Sequence, residues 1–536
     1  MKNIVLPAII LLIAVLTLAP ALDASLYADD FFFIALARNA GSPLDYLTNA
    51  HFFGGHLFRP VPMMFWWWIE HFTGSVQAQY FCNALLLGFC GVAIFSLLRE
   101  LGLSRTTAFA FALVYVLLPA NVATALWLAD RFDLMATTFL LAGMAVWVNY
   151  VRSGKTWMAW HGLVLFGLAA LSKELSYIFP LILSLELAAL WQSRHISPTK
   201  PGLGKLAFSI VAYCLLLAGI VAWKTHIGVL LVPPSVGGQD LTAILLHSSL
   251  KWWQALPAAL VYARAPAADI PKWLGMAMAG VCAAVLVTGW RLTTPAQGYQ
   301  SPQRMGLVLG MAILFLVPLV QAPHFIVTEV EFATPQGMMS RMFVERFFFF
   351  GSSGLLLLVA CGSRPLCSRC RRCNGDLAGW FIALIFVPII GWCLVRDYAI
   401  ASDWPLASSR SSTLAKAAAV AATQAVHRTG MPCRLVFLDS GDPVFQAAAE
   451  PMVKVLAADP DVDRCVIETE TRPLITLTAP AALDWYRLKA LTPYSHKVVN
   501  VFGWWLIPGD LVISNVGDEH TQRFALDKAT GTFRIR

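Results

Sequence analysis

Apolar residues do not alternate along most of this chain; they run. Near-continuous apolar stretches recur from the N-terminus to about residue 395. Most approach the roughly 20 residues a helix needs to cross the hydrocarbon core of a bilayer. The pattern predicts helices near 4–22, 79–98, 106–120, 133–150, 160–173, 176–192, 206–223, 273–290, 305–320, 345–361 and 378–395. From about residue 397 the pattern changes. An Ala-rich stretch at 411–428 predicts a helix, RLVFL at 434–438 a strand, 443–458 a helix and CVIETE at 465–470 a second strand. KVVNVF and LVISNV are further strand candidates. The expected architecture is an α-helical polytopic membrane protein of about 11 transmembrane helices, residues 1–396, followed by a C-terminal soluble α+β domain, residues 397–536.

Composition agrees with that pattern. The 536 residues are 58% hydrophobic and 13% charged, with a mean hydropathy of +0.65, whereas soluble domains carry about 25% charged residues. The net charge of +8 does not point to nucleic acid, because the basic residues fall mainly between apolar segments. Arg99/Arg105, Arg152/Lys155, Arg194/Lys200/Lys205, Arg291/Arg304 and Arg364/Arg369/Arg371/Arg372 occupy alternate connections. The positive-inside rule makes that side cytoplasmic. The long connections 23–78, 224–272 and 321–344, and everything after Arg396, are then extracytoplasmic. The first apolar run, after Lys2 and with Ala19 and Ala21 near its end, has signal-peptide features but reads as a retained anchor.

Cys433 and Cys465 flank the two expected strands of the extracytoplasmic domain, where a disulfide between them is permitted. Cys367, Cys370 and Cys373 have spacing open to zinc, but read first as thiols in a basic cytoplasmic loop.

Five polar clusters sit where a membrane protein should avoid charge, all on the extracytoplasmic side of this topology. They are Asp29-Asp30; His51, His56 and Arg59; Asp130-Arg131 with Asp133; Lys173-Glu174; and Glu345-Arg346. Arg and Lys suit a phosphate, and a carboxylate can remove a proton. Each cluster also has a structural reading, and for Asp29-Asp30 it is an ordinary juxtamembrane charge. Arg59 and Arg346 could snorkel, Lys173-Glu174 could be a self-neutralising ion pair, Asp130, Arg131 and Asp133 could solvate a loop, and His51 and His56 could be interfacial polar residues.

Taken together, the clusters resemble the GT-C superfamily of membrane glycosyltransferases, especially the membrane half of TMTC-type O-mannosyltransferases and their bacterial relatives. The residues that carry the resemblance are Y-A-D-D-F at 27–31, L-F-R-P-V at 57–61, A-D-R-F-D at 129–133, Leu171-Ser172-Lys173-Glu174 and V-E-R-F-F-F at 344–349. It covers roughly residues 1–395. The chain departs from the family pattern at Phe58 and at Asp130, in place of Tyr and Gly. It also lacks the family's His before Pro119, and its C-terminal domain is unlike tetratricopeptide repeats.

The resemblance implies transfer of a sugar from a polyprenyl-phosphate donor to an extracytoplasmic acceptor hydroxyl, usually with inversion. It implies Asp29 as base, with Asp30 positioning it or the acceptor. Arg346, Lys173, Arg131 and Arg59 would face the donor phosphate, supported by Glu174, Glu345, Asp133 and His56. Burial and like charge should raise the pKa of one acid of the Asp29-Asp30 pair and make it the better base. No cofactor is expected; metal-independent chemistry is favoured over a divalent cation. The absence of any Asn-x-Ser/Thr sequon favours a bacterial inner membrane, with the N-terminus cytoplasmic and the C-terminal domain periplasmic. Alternatives from other classes are a lipid-linked-sugar flippase and a non-catalytic component of an envelope complex.

Overall fold

A computed structural model describes residues 4–27, 29–48, 58–192, 202–227, 249, 252–253, 256, 272–292, 302–325, 348–371, 375–429, 433–438, 443–457, 459–469, 499–501, 504–506, 521–527, 529–530 and 532–535. Over these residues the chain is mostly helical, with a small C-terminal sheet. The first described helices are α1 (Val5–Leu18), α2 (Asp29–Asn39), α3 (Asp45–Thr48), α4 (Pro60–Thr73), α5 (Val76–Glu100) and α6 (Arg105–Val116). After them come α7 (Pro119–Leu126), α8 (Arg131–Ser153), α9 (Thr156–Ala170), α10 (Phe179–Gln192) and α11 (Leu203–His226). The series continues with α12 (Lys272–Leu292), α13 (Pro302–Phe325), α14 (Phe349–Arg371) and α15 (Gly375–Thr429), and ends with α16 (Pro443–Ala457) and α17 (Pro460–Asp463).

A helix occupies most of the described part of each apolar segment, but 106–120 is broken at Leu117–Leu118 and 160–173 ends in a turn after Ala170. Among the described residues four stretches, Val76–Glu100, Leu128–Ser153, Leu203–His226 and Pro302–Val320, are long and apolar enough to cross a membrane. The pair α6 and α7 makes a fifth if its 54° bend is counted as one broken span. The bend has a local cause. Leu118 precedes Pro119 and is therefore extended, and Asn121 Nδ2 donates to the Tyr115 carbonyl freed by the break. Val5–Ala21, Thr156–Ala170, Ala277–Thr288 and Phe349–Gly362 are apolar but shorter.

Helix direction sets which residues meet. α5 packs along α1 and α8, and α8 along α9. Gly74 (φ +56°) closes α4 and Ser75 caps α5 through the Ala78 N–H, so the chain passes from one helix to the next in two residues. Gly154 (φ +73°) similarly ends α8. α13 and α14 approach so closely that a Cβ on Gly310 would lie 2.8 Å from the Gly354 carbonyl oxygen.

The expected boundary at 396/397 falls inside a helix: α15 continues unbroken from the last apolar segment through the Ala-rich stretch. At 1.5 Å per residue its 55 residues are about 80 Å long. Cys367 and Cys370 lie on α14, so that part of the expected loop is helical; Cys373 lies outside the described residues. Beyond α15, strands β1 (Arg434–Leu438), β2 (Val466–Thr469), β5 (Thr521–Asp527) and β6 (Thr532–Ile535) form one sheet in the order β2-β1-β5-β6. β1 is parallel to β2 and β5, while β5 and β6 are antiparallel. β3 (Val499–Val501), inside KVVNVF, pairs with β4 (Trp504–Leu506); LVISNV lies outside the described residues. Phe437, Phe445, Phe524 and Phe533 stack between α16 and the sheet. Cys433 and Cys465 are joined by a disulfide at the entrances to β1 and β2.

Candidate functional site

The antiparallel helices bring five charged side chains together at one end. Arg59 sits at the start of α4, Asp133 in the first turn of α8, Lys173 and Glu174 between α9 and α10, and Lys224 in the last turn of α11. Arg59 binds Glu174 Oε2 through Nη2 at 2.8 Å and Nε at 3.0 Å. Lys224 Nζ reaches Glu174 Oε1 at 3.3 Å and the Tyr177 hydroxyl at 3.0 Å. Lys173 Nζ donates to Asp133 Oδ2. Lys173 and Glu174 are thus not a self-neutralising pair; adjacent in sequence, they serve two separate ion pairs. Three cations and two carboxylates leave the group with one positive charge in excess.

The Glu174 side chain is 29% exposed. Burial opposes its ionisation, but Arg59 and Lys224 outweigh burial and hold the carboxyl down to about 2. The Arg59 guanidinium also lies 5.1 Å from the Phe132 ring centroid, which fixes its plane against α8.

Phe132 joins this group to the Asp29-Asp30 helix. Phe33 of α2 meets Phe132 edge-on at 4.9 Å and Trp66 of α4 at 5.8 Å. Asp30 is fully buried. Its Oδ2 accepts from the Tyr27 N–H and its Oδ1 from the Ala129 N–H, each at 2.9 Å. The carboxylate therefore clasps the start of α2 to the turn before α8. Burial raises its pKa well above the ordinary carboxylate value, and the charge of Asp29 adds to the rise; the two N–H donors and Arg131 oppose it. The acid of the pair that burial shifts is therefore Asp30. Asp29, the first residue of α2, remains partly exposed.

Arg131 occupies a different setting from the one a phosphate ligand needs. It is fully buried, donating to Asn83 Oδ1 and Gln79 Oε1 at 2.8 Å and to the Gln79 carbonyl at 3.1 Å. Its guanidinium lies 4.2 Å from the Trp66 ring centroid. In this arrangement its fork is engaged by α5, so it ties helices together instead of facing a ligand. Asp130, Arg131 and Asp133 are all buried, which removes the loop-solvation reading. His51, His56, Glu345 and Arg346 lie outside the described residues.

Lys224 is a site residue that sequence reasoning missed, because the apolar run of α11 ends at Trp223 and its successor looks like the opening of a loop. The available signal was its sign: a lysine there lies on the side the charge alternation leaves poor in basic residues.

The C-terminal part also borders α2. Arg38 of α2 binds Glu70 Oε1 at 2.8 Å and donates to the Val455 carbonyl of α16 at 3.0 Å. Trp404 of α15 donates to the Tyr80 hydroxyl, which donates to the Ser25 carbonyl, and the Ser25 N–H donates to Ser408 Oγ. The segment leading into Asp29 and Asp30 at the start of α2 is thus held on one side by the helices and on the other by the long α15, while α16 contacts α2 itself. Among the described residues no group of three or more His, Cys, Asp or Glu side chains could hold a metal ion. No protein-family model matches the chain, and no curated protein matches it.

Proposed function

We propose that the chain is an integral membrane glycosyltransferase of GT-C type, with about eleven spans and a periplasmic C-terminal domain in a bacterial inner membrane. It would move a sugar from a polyprenyl-phosphate donor to an acceptor hydroxyl on the extracytoplasmic face. The observation that carries this reading is the joining of Arg59, Asp133, Lys173, Glu174 and Lys224 at one end of the helices, linked through Phe132 and Phe33 to the helix that starts with Asp29.

In this reading the acceptor oxygen attacks the anomeric carbon as the bond from that carbon to the phosphate oxygen breaks, with inversion. Asp29 takes the hydroxyl proton, because it is the partly exposed acid of the pair. Asp30 positions Asp29 by anchoring the first turn of α2. Arg59, Lys173 and Lys224 offset the charge that grows on the leaving phosphate; Glu174 and Asp133 hold those cations in place beforehand. Arg346 belongs to the proposal by resemblance alone.

The test uses membranes carrying the wild type or Asp29→Asn, a radiolabelled polyprenyl-phosphate sugar and an extract of candidate acceptors. The expected result is transfer by the wild type and its loss in the variant. Equal transfer by both would remove Asp29 as the base, and donor translocation without transfer would favour a flippase.

A further inference from the structure

At the opposite end of the helices, α10, α12 and α13 line an open cavity of about 560 Å³. That size lies within the roughly 300–1,000 Å³ of small-ligand sites. Its walls are apolar, with Leu185 from α10, Leu286 from α12, and Met311, Phe315 and Leu316 from α13. Arg291, in the last turn of α12, is the charged member of the lining. It is exposed, and among the described residues no acid pairs with it.

The end to which Arg291 belongs follows from the packing. Val285 of α12 and Leu307 of α13 both border Gly362 of α14, and Arg291 shares the cavity wall with Val308, so Arg291 lies beside the first half of α13. A Cβ on Gly306, in the first turns of α13, would lie 3.0 Å from the Leu101 side chain. Leu101 follows the C-terminus of α5, whereas Gln79 and Asn83, which hold Arg131, lie at its N-terminus. The 25 residues of α5 separate those ends by about 38 Å. A lipid whose phosphate meets Arg291 therefore belongs to the leaflet facing away from the Arg59–Glu174–Lys224 group, and is not the proposed donor.

We infer that this cavity holds one acyl chain of an anionic phospholipid, with Arg291 binding its phosphate. The inference rests on the membrane-spanning reading but not on sugar transfer. Charge complementarity selects the occupant: a guanidinium offers a phosphate two parallel N–H donors, and the aliphatic wall below it offers a chain nothing to hydrogen-bond. Basic pockets between membrane helices on the cytoplasmic side recognise anionic head groups for this reason. A chain lying in the cavity would also contact three helices, two of them joined by the α12–α13 connection.

Native mass spectrometry of the full chain, purified in detergent and offered phosphatidylglycerol or phosphatidylcholine, reads this directly. The wild type should retain phosphatidylglycerol selectively. Arg291→Gln should reduce that retention at least about fivefold, Ala312→Phe should reduce retention by filling the cavity, and Arg152→Gln should leave it unchanged. Arg152 is a suitable control because it sits at the same end, paired to Glu100 and outside the cavity. Thermal melting identifies any variant that fails to fold, and Arg291→Lys, which keeps charge but not the fork, should retain an intermediate amount. No selectivity in the wild type, or an equal loss in the Arg291 and Arg152 variants, would overturn the inference. A chain that leaves membranes without detergent would instead refute the spanning reading before lipid is measured.

Discussion

At the scale of single residues, the neighbouring acids Asp29 and Asp30 differ in their surroundings, one partly exposed and the other buried. Asp30 is buried with both oxygens on backbone N–H groups, so Asp30→Ala leaves two donors unpaired. Its cost should be about 2–6 kcal/mol, at roughly 1–3 kcal/mol per buried donor, read as a lower melting temperature. Asp29→Asn should leave melting unchanged and lower transfer by roughly 10²–10⁴-fold, the usual contribution of a general base. Glu174 supplies a pH signature. Its folded value of about 2 lies below the ordinary 4.5, so its contribution to stability is complete above 4.5 and is lost as pH falls towards 2. Melting measured from about pH 6 to about pH 3 should therefore fall more steeply in the wild type than in Glu174→Gln. Asp30 has the opposite sign: its raised value means stability is lost as pH climbs above 3.8, and Asp30→Asn should remove that slope. The residue types at 29, 30, 59, 133, 173 and 174 were legible as candidates in the sequence. Their pairing was not, because Arg59 and Glu174 are 115 residues apart and no local pattern states that they touch.

At the scale of elements, helix positions were legible and helix ends less so. An apolar run of about 20 residues has one low-energy form in lipid, since a helix satisfies its own backbone groups. The bend at Pro119 was carried by local chemistry too, but the expected span 106–120 ran past it, because hydropathy is blind to a missing N–H. The continuity of α15 through residue 397 was likewise invisible to a composition shift: the helix persists while its surroundings change from apolar to Ala-rich. Close helix contact is a different matter. Gly310 and Gly354 let α13 and α14 approach to within backbone contact, so Gly310→Leu should force them apart. Overpacking of this kind costs about 1–3 kcal/mol, and thermal unfolding in detergent followed by tryptophan fluorescence should show it. Gly280, which has nothing within 4 Å of where a Cβ would stand, provides the control: Gly280→Ala should be neutral or slightly stabilising in the same assay.

At the scale of the whole molecule, the sheet domain is not an isolated appendage, since α15 and α16 both touch the segment that holds α2. The Cys433–Cys465 disulfide closes a loop of 32 residues containing β1 and α16. Its removal by Cys433→Ala with Cys465→Ala should destabilise that domain by about 2–5 kcal/mol. Limited proteolysis should then cut within 433–469 faster than in the oxidised wild type, while α5 and α8 stay protected. What the sequence determined by itself was the set of helical segments, the alternation of basic connections, the strand–helix–strand start of the sheet domain and the residue types able to handle a phosphate. These depend on short-range properties: run length, periodicity and the sign of charge between runs. Only the tertiary structure decided that Arg131 is engaged by Gln79 and Asn83, that Asp30 clasps α2 to Ala129, that Lys224 completes the Glu174 pair, and that α16 rests on Arg38. The reason is physical. A buried charge takes whichever partner the packing brings within about 3 Å, and that partner comes from helices distant in sequence whose mutual arrangement is set by side-chain packing along their full length.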